Sequence, residues 1–177
     1  MRLPTARVDD NRLLRLLKHR LLDERDARRL LDDAALDRLQ QRIAMSERLH
    51  SGEIRVCIEA GLPLSYLWRR ATPRDRALAL FGKLGVWDTE HNNGVLIYLL
   101  LAEHAIEIVA DRGLQRVVPP THWQDAVAHL AASCREGRHE EGLLQAIAAA
   151  EAALMRHFPA PAGSEPRNEL PDRPVHA

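Results

Sequence analysis

Apolar residues recur along this chain in two rhythms, one of three to four residues and one of two, and the changes of rhythm divide it into elements. Residues 11–31 carry Leu13, Leu14, Leu16, Leu17, Leu21 and Leu22 in a wide stripe, which predicts an amphipathic helix. A second helix is predicted from about Ala34 to Leu49, with Leu36, Leu39 and Ile43 at helical spacing and Ser51-Gly52 ending it. Glu53-Ile54-Arg55-Val56-Cys57-Ile58-Glu59 then alternates in twos, as a strand with one apolar face does, and Gly61 and Pro63 close it. Thr72-Pro73-Arg74-Asp75 opens a further helix: Thr72 caps, Pro73 suits the first position, and Asp75 completes a capping box. The unbroken run Val95 to Leu101 reads as a central strand covered on both faces. Ala102-Glu103-His104 turns the chain, and Ala105 to Ala110 returns as the hairpin partner. Pro119-Pro120 opens a helix stopped by Gly137. The last helix starts at His139-Glu140-Glu141, acids at the positive end of its dipole, and stops at Phe158-Pro159.

A crossover of about 35 residues joins the first two strands, which makes them parallel and the connection right-handed. The expected fold class is α/β: a three-layer α/β/α sandwich with a small mixed sheet, built from a parallel crossover plus a C-terminal hairpin. Residues 1–33 form an N-terminal helical arm, 34–158 the α/β domain, and 159–177 a tail with five of the ten prolines, within which Asn168-Glu169-Leu170-Pro171 can dock locally. This topology gathers Ser51-Gly52-Glu53, the loop Asp88 to Gly94 and Asp111 to Gly113 at one sheet edge. The opposite edge holds Glu59-Ala60-Gly61 and the Glu103-His104 turn, where open parallel sheets bind ligands. The first edge is preferred here, because the sheet is mixed and the second turn is too short to shape a pocket.

Charge and composition remove several classes of function. In 177 residues, 25 Lys+Arg balance 25 Asp+Glu, which speaks against a general nucleic-acid binder. Within that balance, Met1 to Leu31 hold nine cations and five acids, the pattern of a partner-docking or weakly membrane-touching arm, although Asp23, Glu24 and Asp26 interrupt its basic face. An arm packed on its own domain with its arginines solvated is the simpler reading. The start lacks the apolar core of a signal peptide, and no apolar run approaches the about 20 residues of a transmembrane helix. The expected location is the cytoplasm, with Cys57 and Cys134 reduced.

Four motifs occur in order: Ser51-Gly52-Glu53-Ile54, Asn92-Asn93-Gly94-Val95-Leu96-Ile97, Asp111-Arg112-Gly113-Leu114, and Arg135-Glu136-Gly137 followed by Glu141-Gly142-Leu143. Over residues 34–158 this order resembles the TPM domain, also called the TPM phosphatase family, in its short soluble bacterial branch. The resemblance implies an α/β/α sandwich and a loosely defined function. Plant chloroplast relatives are linked to photosystem repair and described as acid phosphatases, and some bacterial relatives bind divalent cations. Two readings stay open: an accessory module that binds a divalent cation or a protein partner, and a metal-dependent acid phosphatase acting on phosphate monoesters. Calcium or magnesium would take oxygens of Glu53, Asp88, Asn92 and Asp111, with Asn93, Gly94, Arg112 and Arg135 as further binding residues. Family members usually read Asp-Asn-Gly before the central strand; Asn92 stands at the aspartate position and keeps an oxygen without the charge, which Glu90, Asp88 or Asp111 can restore.

Each candidate also has an ordinary role. Arg112 and Arg135 can fork a phosphate or form plain salt bridges. Asn93-Gly94 can be a turn into the strand, with Gly94 supplying unusual backbone angles. Cys57, in mid-strand, reads as a buried residue. Neither cysteine opens a Cys-x5-Arg loop, and the chain has no Asp-x-Asp or Arg-His-Gly, so the sequence designates no catalytic residue.

Overall fold

The computed structural model describes residues 12–21, 29–161 and 170–177. Helices α1 (Arg12–Leu21) and α2 (Asp33–Ser46) precede strand β1 (Ile54–Glu59). Helices α3 (Leu64–Trp68) and α4 (Pro73–Lys83) fill the crossover to β2 (Val95–Leu100), and a 3-10 turn at Leu101–Glu103 leads to β3 (Ala105–Ala110). Then follow α5 (Arg112–Val117), α6 (Pro120–Arg135), α7 (His139–His157) and a short β4 (Val175–His176). The sheet order is β3-β2-β1-β4; β1 is parallel to β2 and β4, and β2 is antiparallel to β3.

Local signals set the helix ends. Asp32 caps α2 by accepting from Ala35 N at 2.7 Å. The Thr72–Asp75 capping box is complete in α4. Two helix layers then cover the sheet. Leu36, Leu39 and Ile43 of α2, Ala126 and Leu130 of α6, and Leu143, Ile147 and Leu154 of α7 pack on Ile54, Val56, Ile58, Val95, Ile97 and Leu99. On the other face Leu67 of α3 and Ala77 and Leu80 of α4 pack on Cys57, Leu96, Tyr98 and Leu100. Gly142 lets α6 and α7 approach, since an added Cβ would stand 2.8 Å from Leu130 Cδ1 and Ser133 Cβ. Bidentate pairs Arg42–Glu151 and Arg38–Glu140 tie α2 to α7.

The structure departs from the sequence expectations in several places. The alternation in β1 predicts one solvent-facing side, yet all six residues are buried, Arg55 and Glu59 included. The charged positions face the second helix layer, where Arg76 of α4 donates to Glu59 Oε1 and Oε2 at 3.1, 3.0 and 2.6 Å. Tyr98 donates to the same carboxylate at 2.6 Å, and Tyr66 lies 4.9 Å beneath the Arg76 guanidinium. Helices α3 and α5, of five and six residues, fall where loops are expected. Within the stretch read as tail, Val175 and His176 pair with Cys57 and Ile58, and Arg173 reaches Asp37 at 2.6 Å. Helix α2 ends at Ser46, three residues before the expected Leu49. Residues 1–11 and 22–28 of the expected arm lie outside the described residues, as do Asn168 and Glu169.

Strand alternation explains how β1 hides its outer edge. Glu53 O accepts from Val95 N at 2.8 Å, so alternate residues bond β2, while the main-chain N–H and C=O groups of Ile54, Val56 and Ile58 face the outer edge. Glu47 Oε1 accepts the Ile54 N–H at 3.0 Å, and Ile58 O accepts from Ala177 N at 3.2 Å.

Candidate functional site

The starts of β1 and β2 and the end of β3 meet at one edge. The ladder Ile54–Val95–Ala110 runs one step further: Val95 N bonds Glu53 O, and Asp111 N bonds Gly94 O at 2.9 Å. Glu53, Gly94 and Asp111 therefore form a row. Glu53 and Asp111 are 2% and 6% exposed. Two strand spacings, roughly 10 Å at the backbone, separate them. The middle place belongs to Gly94, and an added Cβ there would collide with the carbonyl oxygen of Val86. Gly94 is thus required by close approach; the unusual backbone angle lies at Asn92, with φ 51. Gly52 and Gly113 obey the same logic, since a Cβ on either would press on main-chain oxygens of Asn93 or of His91 and Asn92. Three motif glycines thus let the loop before β2 lie flat across the sheet edge.

Asn93 is fully buried beneath this loop. Its N–H donates to Thr89 Oγ1 at 3.0 Å and its Nδ2 to Ser51 Oγ at 3.2 Å. Its Oδ1 is buried and accepts no hydrogen bond from the described residues. Asp111 caps α5 through Oδ1, which accepts from Arg112 N at 2.6 Å, while its buried Oδ2 likewise lacks a donor among the described residues. Arg112 is exposed and directs Nη2 at Asn92 Oδ1 from 3.5 Å. Asp88 and Glu90 are exposed on the same loop.

Arg135 is not at this edge. Gly142 at the start of α7 touches Leu130 and Ser133, whereas Leu154 near its end touches Gly52. Twelve helical residues, about 18 Å, separate those two contacts, so Arg135 sits at the far end of the domain, exposed, with Nε on Ala131 O. Its motif is a helix stop, with Gly137 at φ +74.

Two further carboxyls at the motif edge have no periodic signal in the sequence. Glu47 lies 6% exposed just past α2, and Asp172 sits on the segment leading to β4. Burial and then the Glu53 charge push the Glu47 pKa up to about 9, with Asp172 adding to the rise. A folded-state pKa above the ordinary 4.5 means that the folded chain keeps a proton which the unfolded chain releases, so stability falls as pH rises from 4.5 to about 9. Glu47→Gln keeps an acceptor for Ile54 N–H and removes that proton. Its melting temperature should fall less than the parent's between pH 5 and pH 9. Parallel curves in thermal scans would contradict the assignment.

The opposite edge is closed. Helix α1 lies over it, with His19 Nδ1 accepting from Leu62 N at 2.8 Å and Nε2 meeting Glu103 Oε1 at 2.9 Å. The accepting Nδ1 puts the proton on Nε2. Arg15 donates to Glu103 at 2.8 Å and to Ala71 O at 2.7 Å. Burial works to raise the Glu103 pKa, but the hydrogen bonds from His19 and Arg15 outweigh it and hold it low.

Among the described residues no three His, Cys, Asp or Glu side chains form a group able to hold a metal ion. The Cys57 thiol is pushed up to about 12 by burial, which removes it as a nucleophile. None of the described helices is long and apolar enough to cross a membrane.

A mixed four-stranded sheet between helix layers, with its loop-bearing edge sealed by glycines, defines the class as an α/β/α sandwich. The TPM domain family matches residues 25–153, and the chain belongs to that family. The NMR structure of the BA42 protein from the psychrophilic bacterium Bizionia argentinensis is similar, with a TM-score of 0.72 and 27% identity over 83% of this chain and 95% of that one. The N-terminal domain of a P. gingivalis protein shares the fold at a TM-score of 0.60 and 22% identity, over 73% of this chain and 81% of that one. Among curated proteins none matches.

Proposed function

We propose that this TPM domain is a binding module that takes a divalent cation, calcium or magnesium, at the edge formed by Asn93 and Asp111. The supporting observation is a pair of buried oxygens, Asn93 Oδ1 and Asp111 Oδ2, that find no donor among the described residues. A buried oxygen acceptor left unpaired costs about 1–3 kcal/mol, and hard cations take such amide and carboxylate oxygens. With fewer than three acidic or imidazole groups at hand, main-chain carbonyls and water would complete the shell, an arrangement that magnesium tolerates. Asn92, Glu53 and Asp88 contribute less to this reading: Arg112 faces Asn92, Glu53 lies two strands from Asp111, and Asp88 is exposed on the loop.

Millimolar calcium or magnesium should shift the amide resonances of Asn93, Gly94, Asp111 and Arg112 and raise the melting temperature. Asp111→Asn retains the cap, because asparagine caps as well as aspartate, yet removes the charge and should abolish both responses. Shifts confined to remote carboxylates such as Glu136 and Glu141 would refute the site. Arg112, exposed beside Asn92, sustains the second reading, a metal-dependent phosphatase on phosphate monoesters. Metal-dependent turnover of a generic phosphate ester that disappears in Asp111→Asn would favour it.

A further inference from the structure

We infer that the outward face of α1, with the adjoining surface of α3, is a docking surface for an anionic lipid bilayer; the inference goes beyond cation binding and stands independently of it. At 100° per residue, Arg15, Leu16 and His19 fall on one side of α1, against the domain. Leu17 and Leu21, four apart, fall on the other side and are 54% and 77% exposed. Helix α1 lies along the segment from Gly61 to Ala71, held by His19 on Leu62 N and Arg15 on Ala71 O. That segment carries α3, whose Leu64 and Trp68, again four apart, are 47% and 71% exposed.

Charge selects the partner. Lys18 and Arg20 are exposed on α1, which contains no acid, and exposed Arg69 and Arg70 follow α3 directly. Glu103, the acid beneath α1, is already engaged by Arg15 and His19. Exposed leucines and a tryptophan flanked by cations form the arrangement that seats a helix in the plane of an anionic membrane interface. A second copy of this chain fits less well, because pairing these faces would bring Lys18 and Arg20 of one copy against those of the other. Nucleic acid fits less well too, since phosphates gain nothing from Leu17 and Leu21.

The test is sedimentation of the full chain with phosphatidylcholine vesicles, with and without phosphatidylglycerol. The chain should pellet with the anionic vesicles alone and release several-fold as salt rises. Leu17→Glu with Leu21→Glu changes two exposed positions; it should leave the melting temperature unchanged and cut partitioning about tenfold or more. The inference fails if the chain stays in the supernatant with both vesicles or if the double variant pellets equally. It fails as well if sedimentation equilibrium without lipid finds a dimer that the double variant dissolves, for then the face belongs to a second copy.

Discussion

Arg76→Ala is expected to destabilise the fold by about 3–5 kcal/mol, because it strands a carboxylate in the interior. The Glu59 side chain is 2% exposed and that of Arg76 is 11% exposed. Three hydrogen bonds from the guanidinium and one from Tyr98 saturate the carboxylate. After truncation the Tyr98 hydroxyl is the one donor left among the described residues, with one proton to give. Burial and the Glu59 charge hold that hydroxyl protonated far above its usual range, so it stays a donor but cannot replace a cation. Urea denaturation at neutral pH measures the loss. Glu59→Met combined with Arg76→Met should recover most of it, since a buried pair replaced by apolar residues of similar size is often neutral. The recovery should fall short by the acceptor that Tyr98 loses. A loss under about 1 kcal/mol for Arg76→Ala would mean that water reaches Glu59.

Gly94→Ala is expected to cost about 3 kcal/mol, the upper end for forcing extra atoms into a packed interior. The colliding partner is the main-chain oxygen of Val86, which no side-chain rotation can move, and Val86 Cγ1 is 2.8 Å away. Val86 itself is fully buried and tied by its N–H to Phe81 O at 3.1 Å, so relief requires shifting the whole loop. The same shift disturbs Asn93 through its bond to Thr89, so the cation response should weaken with the stability. Gly82→Ala is the control. No described atom lies within 4 Å of a Cβ there, and an alanine in the last turn of α4 should stabilise by up to about 0.5 kcal/mol, the low end of the mid-helix value. Chemical denaturation of the two variants checks both signs. Equal behaviour would show that the loop before β2 yields freely.

How much of this was legible in the sequence follows from length and period. Helices α4, α6 and α7 and strands β1 to β3 announce themselves because caps, prolines and period-two or period-four runs agree. Helices α3 and α5 are too short to show a period, and β4 pairs two residues inside a proline-rich stretch. The convergence of Glu53, Gly94 and Asp111 follows from strand direction alone, so topology sufficed to gather them. Strand direction cannot place the Asp88 side chain, which is exposed on a loop without register, and a helix of 16 residues carries Arg135 away from the edge. The Glu59–Arg76–Tyr98 cluster stayed hidden for another reason: alternating charge reads as solvent exposure until the facing helix is known to supply a cation.

The pairing of β1 with β4 also sets an order of events. Arg55 and Arg173, which meet beside that pairing, are 118 positions apart. Contacts so distant in sequence repay their loop-closure entropy late, and a ladder of two residues offers little in return. The β1–β2 and β2–β3 pairings and both helix layers can assemble first, leaving Val56 and Ile58 as an open seam until the distal segment arrives. The same seam is the natural place for the folded chain to breathe, so its outer amides belong to the low-energy end of the opening spectrum while Leu96 and Tyr98 belong to the global one.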